Sequence, residues 1–520
     1  MNYSLNYFSG YIRNKENLMK ELGIKPKDDV DGFIILKGYE MWREKLPEKI
    51  MGTFAFAIQN NDTGDLFLCR DHFGIEQLFY YQKKDGKLLF SGDIKSIASD
   101  SGYHKEIDYE ALKIYFSLGY PAGDKTLFKG IKKLPAGSFL SYNESNGTEI
   151  KISSYYNLKF NPDYSKSEDY WEEEIDKCVT SVIMDDLYNP EKTCRHSFLS
   201  GGVDSSFLLA KSNAKDAHGI GYEEEEDESH FAKETAAYLG RNFDKVVITG
   251  DDYFHAVKDA VRSIGLPLAD MSNPALFLGC KNMSKIDNYC FSGEGSDEFW
   301  GGYNIYKRAE SLAHDDGPLH FGCSGIMDEA SVDRLIKDSC PDFELGSLVK
   351  DIYDDTKSME HLCRLLSIDI QLFLEGDIFI GLNCAAKANG ITILTPLADP
   401  RVFELSARIP SELKVKGDIG KYILRKAASR YLPEEVAFRK KIGFAVPVSK
   451  WIRQGKFYED VIEKLKGESC KELFNQDFIS RIVNNFEKNE YGPGFINIVY
   501  TIYVFILWYE EVFKKIGYEF

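Results

Sequence analysis

Leu199-Ser200-Gly201-Gly202-Val203-Asp204-Ser205-Ser206 follows the short stretch Ser197-Phe198 and runs into Phe207-Leu208-Leu209-Ala210. A strand, a glycine turn and a helix start are compressed into one line. Neither glycine carries a Cβ, so backbone can approach an anion closely. The helix that follows points its first N–H groups at the same spot and favours negative charge there. Ser200, Ser205 and Ser206 add hydroxyl donors. Asp204 is an odd residue to face a phosphate alone and implies a divalent cation between the two. The Gly-Lys-Ser/Thr ending of the commonest phosphate loop is missing. The stretch therefore reads as a cradle for the pyrophosphate half of ATP, in an enzyme that cleaves between the α and β phosphates. A Ser or Asp cap on an ordinary helix is the plainer alternative.

The bulk values narrow the setting. A chain of 520 residues holds two domains or more. Its 43% hydrophobic and 28% charged content is ordinary for a globular protein. A net charge of −18 argues against nucleic acid as the main partner, because that surface wants clustered Lys and Arg. The ten cysteines are scattered without a CxxC pair. That pattern argues against structural zinc or a disulfide framework and for reduced thiols in a cytoplasmic protein. No signal peptide is read after Met1. The apolar segment from Phe495 to Tyr509 is interrupted by Asn497 and Thr501, and reads as a buried core helix rather than a membrane span. The acidic run Glu223 to Glu228 reads as a solvated loop.

Outward from the glycine loop, the chain divides. Residues 1 to about 155 are rich in short apolar runs: Phe54–Ile58, Leu66–Cys69, Leu78–Tyr81 and Leu88–Phe90. Turn clusters such as Asn60-Asn61-Asp62-Thr63-Gly64 separate them, and the spacing predicts a meander of antiparallel strands. Asn161-Pro162-Asp163 opens a linker. From about Asp169 helical stretches alternate with short buried strands, among them Lys245–Ile248 and Tyr289–Phe291. That alternation predicts a parallel sheet with the loop at Ser200 at the carboxyl end of a strand. From about residue 345 the chain reads as mainly helical.

A second glycine-rich loop, Ser292-Gly293-Glu294-Gly295-Ser296-Asp297-Glu298, follows the strand ending at Phe291, with Gly301-Gly302-Tyr303 close behind. Asp297 is placed to share a metal with Asp204. Glu294, between glycines, reaches into a site without crowding. With these two loops on the page, the chain resembles the asparagine synthetase family. Leu199 to Ser206 is similar to that family's ATP loop, and Ile220-Gly221 to the strand end that packs on adenine. Asp227-Glu228-Ser229 with Ala232, Pro267 with Asp270, and Ser292 to Glu298 are similar to further family segments. Lys421 to Arg425 and Arg439-Lys440-Lys441-Ile442-Gly443-Phe444 resemble its C-terminal basic motifs.

The resemblance implies an α/β architecture. A β-rich, αββα-like domain of the N-terminal nucleophile (Ntn) type would span residues 1–155. An adenine-nucleotide α-hydrolase (ATP pyrophosphatase) domain with a parallel sheet and a helical C-terminal part would span 165–520. It implies ATP and Mg²⁺ as cofactors and a small-molecule carboxylate with an amine or ammonia as substrates. Neither nucleic acid nor membrane is implied, and a homodimer follows only by that likeness. In the implied reaction the carboxylate attacks the α-phosphate, the acyl-adenylate reacts with an amine, and AMP leaves. Leu199, Ser200, Gly201, Gly202, Asp204, Ser205, Ser206, Ile220, Ser292 and Gly293 would hold the nucleotide, and Asp204 and Asp297 the metal. Glu294 would orient or deprotonate the amine, which requires that burial not raise its pKa far. Lys441 would neutralise charge on pyrophosphate.

The chain also departs from the pattern. Active members begin Met-Cys-Gly, whereas position 2 here is Asn2, and Ser9 in Phe8-Ser9-Gly10-Tyr11-Ile12 falls where the nucleophile is expected. The family's Arg-containing and Asn-Gly-Glu-containing glutamine-pocket segments have no counterpart between Lys15 and Trp42. His72 reads as structural rather than as a base. Glutaminase activity is therefore expected to be lost, leaving ammonia or a substrate amine as the nitrogen source. Gly265-Leu266, Thr392 and Leu394 replace charged family positions, and so point to an acid less polar or larger than aspartate. Amidation or cyclisation of a specialised metabolite, peptide or sugar acid is one alternative. A non-catalytic nucleotide-binding scaffold is another.

Overall fold

The run Phe54-Ala55-Phe56-Ala57-Ile58 alternates large and small residues, and the strand it forms is covered on both faces. A computed structural model describes residues 2–25, 30–143, 149–187, 194–223, 229–312, 320–441 and 443–516. The chain separates into two units, each with its own core: Met1–Asp108 with Gly123–Lys159, and Tyr109–Ala122 with Phe160–Lys515. Asp227 and Glu228 of the acidic run, and Ile442, lie outside the described residues.

In the first unit, β1 (Tyr3–Ile12), β2 (Gly52–Asn60), β3 (Leu66–Arg70), β7 (Ser138–Asn143) and β8 (Glu149–Ser154) form one antiparallel sheet in that order. A second sheet has the order β5 (Leu88–Ser91), β4 (Phe79–Gln82), β6 (Lys132–Lys133). Side chains of a strand alternate between faces. Phe54, Phe56 and Ile58 pack with Ile34 and Ile35 of the helix Val30–Trp42, while Ala55, Ala57 and Leu68 pack with Tyr80 and Leu88 of the second sheet and with Leu78 just before it. The small residues face the tighter sheet-on-sheet contact. The single meander expected from the spacing is thus two sheets, because the chain changes layer between β3 and β4. Arg70 drives that change. Its fully buried guanidinium donates to the carbonyls of Gly74 at 2.7 Å, Glu76 at 2.6 Å and Leu134 at 2.8 Å. The Asp71 carboxylate accepts from the N–H groups of Ile75 and Glu76. The segment is pulled into a tight loop instead of a hairpin turn.

In the second unit, β9 (His196–Phe198), β10 (Asp216–Tyr222), β11 (Asn242–Ile248), β12 (Tyr289–Phe291) and β13 (Thr392–Leu394) form a parallel sheet of order β11-β10-β9-β12-β13. The chain runs outward from β9 through β10 to β11, then returns to the other side of β9 for β12 and β13. The point where that order reverses lies between β9 and β12, and their two following loops diverge there to leave a crevice at the carboxyl ends. These are the two glycine loops. β13 was hidden in the sequence inside a helical stretch, since three residues carry no periodicity; Ile393 anchors it in the core. The proposed linker is fastened, with Asn161 and Asp163 donating backbone bonds to Ala407 and Arg408. Phe495–Phe513 is long and apolar enough to cross a membrane, but 72% of its apolar window is buried inside the protein, and Trp508 Nε1 donates to Gly265 O at 2.8 Å. A core helix of a soluble fold gives the same signal.

Candidate active site

Gly201 has φ +79°, and a Cβ there would stand 2.9 Å from the backbone nitrogen of Ala232. Only glycine turns the chain this tightly against the next helix. The helix Val203–Lys211 is capped by Gly202, which has no side chain to occupy the first N–H groups. Those groups are left for a ligand. The Asp204 carboxylate turns instead toward the second loop. Its Oδ1 accepts from Ser296 Oγ at 2.6 Å and its Oδ2 from Lys421 Nζ at 2.5 Å. Gly293 permits the approach of the two loops, since a Cβ there would lie 3.2 Å from Ser205 N and 3.3 Å from Asp204 Cβ.

Lys421 is the hub. It is 1% exposed, and its ammonium stands 2.5 Å from Asp204 and 2.7 Å from Asp297. Lys441 reaches the same Asp297 oxygen at 2.6 Å and lies 4.0 Å over the Tyr303 ring. Lys421 has φ +56°, a left-handed conformation that costs a non-glycine residue about 1 to 2 kcal/mol. The strain sits at the centre of the charge cluster. Gly302 makes room for it: a Cβ there would fall 1.8 Å from Asp297 Oδ1 and 2.2 Å from Lys421 Cε. Arg425 fixes the basic segment from behind, donating to the carbonyls of Gly420, Ala437 and Arg439, each at 2.8 Å. Arg439 ties that segment to the first loop through Gly201 O at 2.9 Å.

The charges sort the carboxyl groups. Burial pushes Asp297 up, but Lys421 and Lys441 together more than reverse that and hold it at about 2. Glu294 has no such partner. Burial first, then the nearby Asp297 charge, raise it to about 7 against the pull of Lys441 and Lys421. Burial and Asp297 likewise raise Glu298 to about 8, opposed by the Tyr303 hydroxyl that donates to it at 2.6 Å. The expectation that burial leaves Glu294 nearly unshifted is not met. A carboxyl poised near neutral pH still has a large ionised fraction to accept a proton.

A cavity of about 450 Å³ opens over these groups. Of the residues singled out in the sequence, Leu199, Ser200, Gly201, Gly202, Asp204, Ser205, Ile220, Ser292, Gly293, Glu294, Asp297 and Lys441 line it. Ser206 does not. It is fully buried, one residue further round the helix. Lys421, quoted only as part of a basic motif, is the residue whose central place the sequence reading missed. The family model described as Asparagine synthase matches residues 196–510, which covers both loops and the basic segment.

The chain belongs to the asparagine synthase family.

It is accordingly an ATP-dependent carbon–nitrogen ligase of the amidotransferase type. A second family model, Glutamine amidotransferase domain, matches residues 2–156. Asparagine synthetase [glutamine-hydrolyzing] 1 of Bacillus subtilis is 28% identical, covering 98% of this chain and 85% of the relative. A putative asparagine synthetase [glutamine-hydrolyzing] of Mycobacterium bovis is 26% identical over 96% and 82%. Asparagine synthetase B of Escherichia coli is 23% identical over 85% and 70%.

Within this family member, the replacements that point in the sequence to a less polar or larger acid lie away from the cavity. Gly265 ends the helix Gly250–Ile264 in a left-handed cap, and Leu266 is 1% exposed. Thr392 and Leu394 are strand residues of β13 paired with β12. None of the four lines the cavity. Substrate preference has to be read from the walls instead.

Proposed function

We propose that this protein activates a carboxylic acid as an acyl-adenylate, releasing pyrophosphate, and passes the acyl group to ammonia or a substrate amine with release of AMP. The observation that carries the reading is the meeting of Asp204, Asp297, Lys421 and Lys441 in one cavity at the switch point of the sheet. A carboxylate oxygen of the acid attacks the α-phosphorus, and the bond from that phosphorus to the bridging oxygen breaks. Lys441 and Lys421 stabilise the charge moving onto pyrophosphate. The amine then attacks the acyl carbon, its proton goes to ionised Glu294, and the carbon–oxygen bond to AMP breaks. Asp204 and Asp297 suit Mg²⁺: they are two carboxylates close enough to share one ammonium, and Mg²⁺ takes one or two carboxylates beside substrate phosphates. Held there, that ion would supply charge neutralisation on the nucleotide.

The first unit (1–155 in the sequence reading, with the ligase from 165 on) is proposed to act as a scaffold without glutaminase activity. Its sole cysteine is Cys69, buried in β3, and burial pushes the thiol well above its ordinary range. Nucleophilic cysteines need the opposite. Ser9 lies inside β1, and its hydroxyl is engaged at 2.6 Å by Glu76. The proposed setting is the cytoplasm.

Acid-dependent exchange of labelled pyrophosphate into ATP tests the reading. Lys441→Ala should lower it about a hundredfold, the scale of losing one charge-stabilising donor. Exchange unchanged in that variant counts against the assignment. Ammonium should support amide formation while glutamine does not; glutamate released from glutamine at the rate of turnover would refute the scaffold role.

A further inference from the structure

His218 on β10 and His196 on β9 are both buried, at 8% and 9% exposure, and their rings meet between the adjacent strands: His196 Nδ1 stands 3.0 Å from His218 Nε2. There is room for one proton between those nitrogens. Asp287 decides which ring carries it. Its Oδ2 lies 3.4 Å from the remaining nitrogen of His196, Nε2, while its Oδ1 accepts from the N–H of Asn288 at 2.6 Å. A carboxylate beside a ring nitrogen favours N–H there over a lone pair, and the two nitrogens of a neutral imidazole take opposite roles. His196 therefore keeps its proton on Nε2 and its lone pair on Nδ1. His218 donates from Nε2, and its Nδ1 is left as an acceptor. Burial first, then the neighbouring His196, lower the His218 pKa and so keep that ring neutral.

The ring of His218 lines the cavity. With Nε2 engaged by His196, Nδ1 is the polar atom it offers there, and among the described residues Nδ1 has no partner. Unlike Ser206 Oγ, which is closed over without a partner, this nitrogen keeps an accessible face. The wall around it is apolar: Phe198, the register partner of His218, Ile220 two residues along the same strand, and Leu276 of the helix Asn273–Met283 all line the cavity. Gly279, one turn on, lets that helix lie close, since a Cβ there would stand 2.6 Å from Ile220 Cδ1. Apolar walls with one recessed acceptor suit a flat ring that carries an N–H donor. The 6-amino group of adenine is such a donor, and a 6-oxo purine presents an acceptor in its place.

Resting on the ligase reading above, we propose that His218 selects the base of the nucleotide, accepting from the 6-amino group of adenine through Nδ1 and turning away purines with an oxygen at that position. His196 and Asp287 are positioning residues that hold its tautomer.

Calorimetric titration of the full chain, in the presence of Mg²⁺, with ATP, ITP and purine riboside 5′-triphosphate tests this; the last carries hydrogen in place of the amino group. Wild type should bind ATP at least about fivefold more tightly than the purine riboside nucleotide, the scale of one neutral hydrogen bond, and at least about thirtyfold more tightly than ITP, whose oxygen meets the lone pair. His218→Leu should weaken ATP about fivefold and leave the purine riboside nucleotide unchanged. Asp287→Ala, at a partly exposed position, frees the histidine pair to shift its proton. ITP should then gain at least about threefold on ATP while the purine riboside nucleotide holds, and His196→Phe should give the same change. Wild type binding all three nucleotides alike overturns the proposal. So does an equal loss for all three in His218→Leu, or an ATP-to-ITP ratio unmoved in both positioning variants. In each of those cases ATP still binds and the ligase reading stands. Failure of wild type to bind ATP at all removes the ligase reading and this inference together.

Discussion

Lys421 shows how one side chain sets the chemistry of its neighbours. Two carboxylates that would repel across the cavity mouth are joined by its ammonium, and Asp297 is kept ionised as a result. Lys421→Met leaves both acids without that partner. Breaking a buried pair in this way costs about 3 to 5 kcal/mol, so the variant is expected to unfold earlier in urea and to lose pyrophosphate exchange. Glu294 offers the complementary case. Its folded pKa of about 7 lies above the ordinary 4.5, so its contribution to stability is complete below about 4.5 and declines as pH rises toward 7. Glu294→Gln should therefore melt progressively higher than wild type as pH is raised from 5 to 8. If ionised Glu294 takes the amine's proton, kcat/KM for amide formation rises through pH 7 in wild type, and that limb is absent in the variant. A wild-type profile flat between pH 6 and 8 would remove Glu294 from that role.

Elements place these residues by close approach, and glycines mark where. The turn Gly301-Gly302 packs on Gly420-Lys421, where a Cβ at Gly420 would stand 2.5 Å from Gly301 O. Gly302→Ala drives a methyl into both Asp297 and Lys421. Overpacking of this kind costs about 1 to 3 kcal/mol, and here it falls on the ion cluster, so exchange should drop with nucleotide affinity. A melting curve and an ATP titration on the same sample check both effects. The two glycine loops were legible because their residue types are rare in combination: glycines, hydroxyls and an acid between a strand and a helix. β13 and the change of layer after β3 were not. A three-residue strand has no period to detect, and the layer change depends on Arg70 finding carbonyls as distant as Leu134.

At the scale of the whole molecule, two units with separate cores carry different loads. A ligand that binds only the native second unit stabilises that unit by mass action, by about 2.7 kcal/mol at a hundred times its dissociation constant. Calorimetry should resolve two transitions, with MgATP raising the one that belongs to the parallel-sheet unit and glutamine raising neither. A shift of both by MgATP would show that the units unfold together. By itself the sequence determined the class of fold, the order of its two halves and the loops that meet at the crevice, because local residue type and spacing dictate strand, turn and helix. Tertiary structure alone decided that Lys421 stands between Asp204 and Asp297, that Ser206 is turned away, and that Thr392 and Leu394 lie in a strand off the cavity. Each of those facts depends on side chains brought together from distant parts of the chain, and distance in space is not written in distance along the sequence.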